Sequence, residues 1–350
     1  MQDGPATNEA SEDVPPESDL NLPRRAPILL WVLAPIVLFL GVYLTPERLI
    51  ELGPLRTSLT DQIRPMAAQT AHLEVAVLRV GAIVVGISLF GVGIFWSRVR
   101  NSGLIVWIGS QSDQFNPIMP DPHEVRPLTM GLVVVAWVIS MLYVWLGGFF
   151  FSADVLTMLD RSEGVLENAT ALFFLLASIL MALTVWRIQA PKMTQFFLVV
   201  MAVVFFLFAG EEVSWGQQLI EIETLAIMEK LNVQNENNLH NLFGYVTDHL
   251  FIVAVATYGA IVPALRLYHV FWDKTVRAIG LPMPTMGLAV GFFLISLSHQ
   301  WFVNYFVEPS TNIRVAELRE LLASIAFLAL IYEINARWRE KSKMGMGDGD

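Results

Sequence analysis

Apolar residues in this chain fall in long blocks, at about 26–45, 75–96, 128–151, 169–185, 193–210, 245–265, 286–306 and 321–334, with polar stretches between them. Most blocks approach the roughly 20 residues that a helix needs to cross a bilayer's hydrocarbon core. The pattern predicts an all-α fold, a polytopic integral membrane helix bundle of about eight transmembrane helices. Composition points the same way. Of the 350 residues 55% are apolar and only 15% charged, and a mean hydropathy of +0.55 is too high for a solvated globular surface, so lipid takes the place of a conventional core.

Basic residues near helix ends prefer the cytoplasm. Arg24 and Arg25, then Arg98, Arg100 and Arg126, then Arg187 and Lys192, then Arg266, Lys274 and Arg277, then Arg337, Arg339, Lys341 and Lys343 all fall on one side of an eight-helix alternation. Both termini are therefore expected in the cytoplasm. Residues 1–22 hold Asp3, Glu9, Glu12, Asp13, Glu17 and Asp19 without any Lys or Arg, which predicts a disordered acidic tail. The bundle follows over 23–340 and a flexible tail over 341–350. The first block lacks a small-residue cleavage site and reads as a retained anchor. Residues 46–73 form the first outer loop, and 103–109 are too short to span and belong at the inner interface.

With that topology, the unusual polar residues of the second half gather at the outer ends of the later helices. Glu163, Glu167 and Thr170 stand at i, i+4 and i+7, one stripe of an entering helix. The fifth block ends in Gly210-Glu211-Glu212, against hydrocarbon, and continues through Ser214, Trp215, Gly216 and Gln217. The interfacial loop 211–244 closes with an amide-rich run that contains Glu236, Asn238, His240 and Asn241. Asp248 and His249 open the sixth span. Ser296, His299, Gln300 and Asn304 occupy i, i+3, i+4 and i+8 on the seventh span, a single polar stripe near its outer end. Glu317 and Glu320 share a face at the start of the eighth. Ionisable groups at a membrane edge are costly and mark function, so these groups predict a shared polar pocket.

Gly210-Glu211-Glu212-Val213-Ser214-Trp215-Gly216-Gln217, followed by Asn232-x-Gln234-x-Glu236-x-Asn238-Leu239-His240-Asn241, resembles the signature of a group of bacterial polytopic membrane proteins of uncharacterised function. Gln218 stands where that group has Arg, and Asn235 where it has Gly, which puts in doubt an anion contact at 218 and a tight turn at 235. The resemblance covers about 35 residues of motif. It implies a bacterial cytoplasmic (inner) membrane location and brings no reaction with it.

From the residues themselves the favoured function is a membrane enzyme with an extracytoplasmic site that acts on a lipid or lipid-linked glycan substrate. Glu211, Glu212, Glu236 and His240 would carry acid–base chemistry. Glu163, Glu167, Trp215, Gln217, Asn238, Asn241, His299, Glu317 and Glu320 would line the substrate. Glu236, His240, His249 and His299 offer ligands for zinc or manganese. A transporter or channel, or an assembly subunit that docks a periplasmic partner, is the alternative; against transport, no charge stands near the middle of the later blocks. The absence of cysteine excludes disulfides and thiolate chemistry, and a net charge of -10 excludes nucleic acid as a partner.

Overall fold

The computed structural model describes residues 24–25, 27–45, 47–48, 65–112, 115–160, 164–217, 245–298, 303 and 315–345, with backbone alone at 65–74, 77, 160, 245–249 and 344–345. Among them there are helices and turns but no strand. The N-terminal helices α1 (Ile28–Tyr43) and α2 (Pro65–Ile94) form an antiparallel hairpin. Arg79 of α2 donates from Nε to the Gly41 carbonyl at 3.0 Å, satisfying an end of α1 that has no helical partner. Arg79 thus serves the end of α1, and the Glu74 side chain, with which sequence proximity suggests an ion pair, lies outside the described side chains. Residues 65–73, expected in an outer loop, belong to α2.

Two short helices, α3 (Trp96–Arg100) and α4 (Gly103–Ser112), lead to the main bundle. It comprises α5 (Pro127–Phe150), the short α6 (Ala153–Asp160), α7 (Val165–Arg187) and α8 (Lys192–Glu212). After these come α9 (Tyr245–Ala256), a π-turn (Thr257–Ile261), α10 (Val262–Tyr268), α11 (Val270–Ile279), α12 (Met286–Leu297) and α13 (Val315–Gly345). Pro127 opens α5, where a missing N–H costs nothing. Thr285 caps α12 by accepting from the Leu288 amide.

Phe327 of α13 is the hub of the core. Its ring meets Phe205 of α8 at 4.9 Å, Phe292 of α12 at 5.2 Å, Tyr258 of the π-turn at 6.3 Å and Phe174 of α7 at 6.4 Å. The π-turn brings Gly259 so close to Phe292 that a methyl group there would lie 2.3 Å from the ring. Glycine at 259 is therefore what lets α12 approach.

Among the described residues, four helices are long and apolar enough to cross a membrane: Pro127–Phe150, Val165–Arg187, Lys192–Glu212 and Leu250–Tyr268. Ile28–Tyr43, Leu78–Ile94 and Met286–Leu297 are apolar but shorter, and α13 is long but carries several charges. The seventh block is not one continuous helix. Its helix stops at Leu297, where Ser298 takes a non-helical conformation and returns its hydroxyl to the Leu294 carbonyl at 3.1 Å. Buried Arg319 donates to the Ser298 carbonyl at 3.3 Å, a cation at a helix C-terminus. The Ser296 stripe is broken there, and Gln300 and Asn304 lie outside the described residues.

The opposite end of the bundle is tied by a buried polar knot. Glu333 of α13, 0% exposed, accepts from the Thr129 hydroxyl at 2.6 Å and from the Thr285 hydroxyl and amide at 2.8 and 3.1 Å. One turn later, Arg337 lies 3.5 Å from Glu333 and donates to the carbonyls of Ile118 and Met283. Arg266 donates to Pro120 O and pairs with Asp273. The starts of α5 and α12 are thus held to the middle of α13. Glu333 is the single carboxylate within the 321–334 block and lies at its edge. Beside the knot, Arg126 grips both oxygens of Glu340 at 3.0 and 2.7 Å.

Replacing Glu333 by Ala leaves the buried Arg337 guanidinium with only the longer contact to Glu124 at 3.8 Å and strips Thr129 and Thr285 of their acceptor, at a cost of about 3 kcal/mol. Thermal unfolding in detergent should show a marked fall in Tm, and an unchanged Tm would contradict the knot. A milder effect is expected in acid. The hydrogen bonds from Arg126 hold the Glu340 carboxyl below its ordinary value, so the pair stabilises the folded chain above the ordinary glutamate pKa and loses that contribution as pH falls through the lowered one. Arg126→Gln should flatten the acid limb of the Tm–pH profile there by lowering its neutral part slightly toward the acid value.

Candidate carboxylate site

Helix α8 ends in a strained turn. Ser214, Trp215 and Gly216 have φ of 46°, 55° and 77°, three successive residues in left-handed space that costs a non-glycine residue roughly 1–2 kcal/mol. Strain of this kind persists only where surrounding contacts enforce it. Here the turn folds Trp215 back over the helix. Its indole N–H donates to Glu211 Oε1 at 2.8 Å, and its edge meets Phe206 at 6.1 Å. Its ring covers Gly210 so tightly that a Cβ there would fall 2.7 Å from it. Each residue of Gly210-Glu211-x-x-Ser214-Trp215-Gly216 has a place in this clamp: space at 210, a hydrogen-bond acceptor at 211, a buried hydroxyl residue at 214 and left-handed glycine at 216.

The clamp fixes the last turn of α8, and Glu212 projects from it. One carboxylate oxygen each from Glu212, Glu317 and Glu320 lie within 4.8 Å of one another. Glu317 and Glu320 stand at i, i+3 in the opening turns of α13, where the positive end of the helix dipole favours anions. Glu167, in the first turn of α7, and Glu211 are near enough for their charges to act on Glu212. All five acids are half-buried. Three carboxylates at this spacing repel unless a proton or a cation lies among them. The arrangement can therefore share and transfer a proton. Alternatively its oxygens can hold a hard cation such as magnesium, calcium or manganese, for which an all-carboxylate set is better suited than for zinc.

The structure brings together residues that the sequence places on separate helices and in separate roles. Glu212, expected to be catalytic, and Glu317 and Glu320, expected to line the substrate, form one group. Glu211 is engaged by Trp215, which acts as a clamp on the helix end. Gln217 continues the turn, its amide bonded to Ser214 O at 3.0 Å. Glu163, Glu236, Asn238, His240, Asn241 and His299 lie outside the described residues, and His249 is described only as backbone of α9. The metal set Glu236, His240, His249 and His299 and its pairing with Glu212 thus fall there too. Sequence reasoning missed the role of Arg319, which lies between Glu317 and Glu320 yet turns to the carbonyl of Ser298. The i, i+3 spacing of the two glutamates was the available signal, since Arg319 must then leave on another face.

Gly210→Ala should push the Trp215 ring off the helix end and disorder the turn. Trp215→Phe should remove only the bond to Glu211. The first is expected to expose residues 213–217 to amide hydrogen exchange on a faster timescale and the second to change exchange less; equal protection in Gly210→Ala and the native protein would refute the clamp. No family model matches the chain, and no match to a curated protein or a solved structure is found.

Proposed function

We propose that the chain is an integral membrane enzyme whose carboxylate site works by acid–base chemistry on a lipid or lipid-linked glycan that enters from the side of the bilayer. The observation that carries this reading is the meeting of Glu212, Glu317 and Glu320 at one end of the bundle. Glu212 is the proton-transferring group, and Glu317 and Glu320 tune it by their charge. Glu236 and His240, in the sequence after α8, are assigned the remaining proton transfer, and Asn238 and Asn241 the orientation of hydroxyl or phosphate groups. The basic-residue bias gives about eight spans with both termini inside, which sets the carboxylates on the extracytoplasmic side of a bacterial inner membrane. The resemblance of the Gly210–Gln217 and Asn232–Asn241 segments to bacterial polytopic membrane proteins supports the same location.

Transport is the second reading. The buried knot around Glu333 favours the enzyme, because alternating access would have to open a bundle end in which Thr129, Thr285, Glu333 and Arg337 tie α5, α12 and α13 together.

Glu212→Gln keeps size and hydrogen bonding but removes the exchangeable proton. Incubating purified protein with a bacterial lipid extract, with and without magnesium or manganese, and following the lipids by mass spectrometry should reveal a species consumed by the native protein. The variant should consume it roughly 10²–10⁴-fold more slowly at nearly unchanged Tm. A variant of full activity, or one that is inactive only because it is unfolded, would contradict the assignment.

A further inference from the structure

The end of the bundle opposite the carboxylates carries more positive charge than its own acids can balance. Arg266 and Arg277 share the single carboxylate of Asp273, while Arg337 and Arg126 take up Glu333 and Glu340 and share Glu124. Among the described residues, Lys274, Arg339, Lys341 and Lys343 make no salt bridge. Lys341 is the most confined of these. Its ammonium sits 5.3 Å over the ring of Phe115. Burial, and then the charges of Arg277 and Arg337, lower its pKa, as expected of a cation held beside other cations.

Apolar surface adjoins this charge. Helices α4 and α11 pack on each other through Ile105, Ile108, Phe271 and Ala278. At 10 residues each they measure about 15 Å, too short to span. Their other faces leave Leu104 62%, Trp107 40% and Trp272 37% exposed. Two short paired helices with outward tryptophans suit the headgroup level of a bilayer. A free phosphate would use the cations and leave the apolar face bare, whereas a phospholipid with a negative headgroup satisfies both.

We propose that the surface formed by α4, α11 and the C-terminal part of α13 is a binding site for an anionic phospholipid, whose headgroup lies against Lys341, Arg277 and Lys274 and whose chains cover Leu104, Trp107 and Trp272. The site is separate from the carboxylates, so its failure would leave the proposed chemistry untouched.

The test uses the full chain in phosphatidylcholine nanodiscs that contain a minor fraction of phosphatidylglycerol, with bromine on the acyl chains of one lipid or the other. Brominated phosphatidylglycerol should quench Trp107 and Trp272, identified by their Phe variants, at a several-fold lower mole fraction than brominated phosphatidylcholine. Lys341→Ala and Lys274→Ala should each reduce that preference about five-fold, while Lys341→Arg keeps it. Inorganic phosphate should not displace the lipid. Equal quenching by the two lipids, a preference that survives the double alanine variant in folded protein, or displacement by phosphate alone would each overturn the site.

Discussion

A backbone carbonyl left without a partner inside an apolar medium is too costly to tolerate, and buried arginines meet this constraint throughout the bundle. At four places where a helix ends or the chain turns, a guanidinium is aimed at the exposed carbonyls. Arg79 serves the end of α1, Arg319 the break after α12, Arg266 the carbonyl of Pro120, and Arg337 those of Ile118 and Met283. Arginine suits this task because its planar fork offers several donors at fixed angles and stays charged. The residues that a hydropathy argument treats as markers of the cytoplasm are therefore, at positions 266 and 337, parts of the interior.

This constraint divides the bundle into two unlike ends. One is closed by the knot that runs from Thr129 and Thr285 through Glu333 to Arg337, in which Glu333 has its hydrogen bonds and its cation. The other gathers acids on the last turn of α8 and the first turns of α13 and holds them with a strained turn. Glu320 and Glu333 lie on the same helix, about 20 Å apart along its axis.

Much of the helix layout was legible because lipid-crossing helices write long apolar blocks. The blocks at 128–151, 169–185 and 193–210 became Pro127–Phe150, Val165–Arg187 and Lys192–Glu212. The breaks were not legible. The end at Leu297 depends on a serine hydroxyl and an arginine 21 residues away, and the π-turn at Thr257–Ile261 lies within an unbroken apolar run. Glu333 was hidden by its neighbours, whose hydropathy masks one acid. At the site, Gly210-Glu211-Glu212 and Ser214-Trp215-Gly216 stood out as a unit, and Glu317 and Glu320 as a pair. That the two belong together is a matter of tertiary packing between α8 and α13, which no local pattern encodes.

The convergence of α8 and α13 at their acidic ends can be measured directly because the chain has no cysteine. Cysteines placed at Glu212 and Glu320, treated with a short bifunctional methanethiosulfonate in native membranes, should cross-link nearly completely within one chain, whereas a pair at Glu212 and Arg339 should not. Cross-linking of the second pair, or its absence in the first when both cysteines react singly, would contradict the carboxylate site.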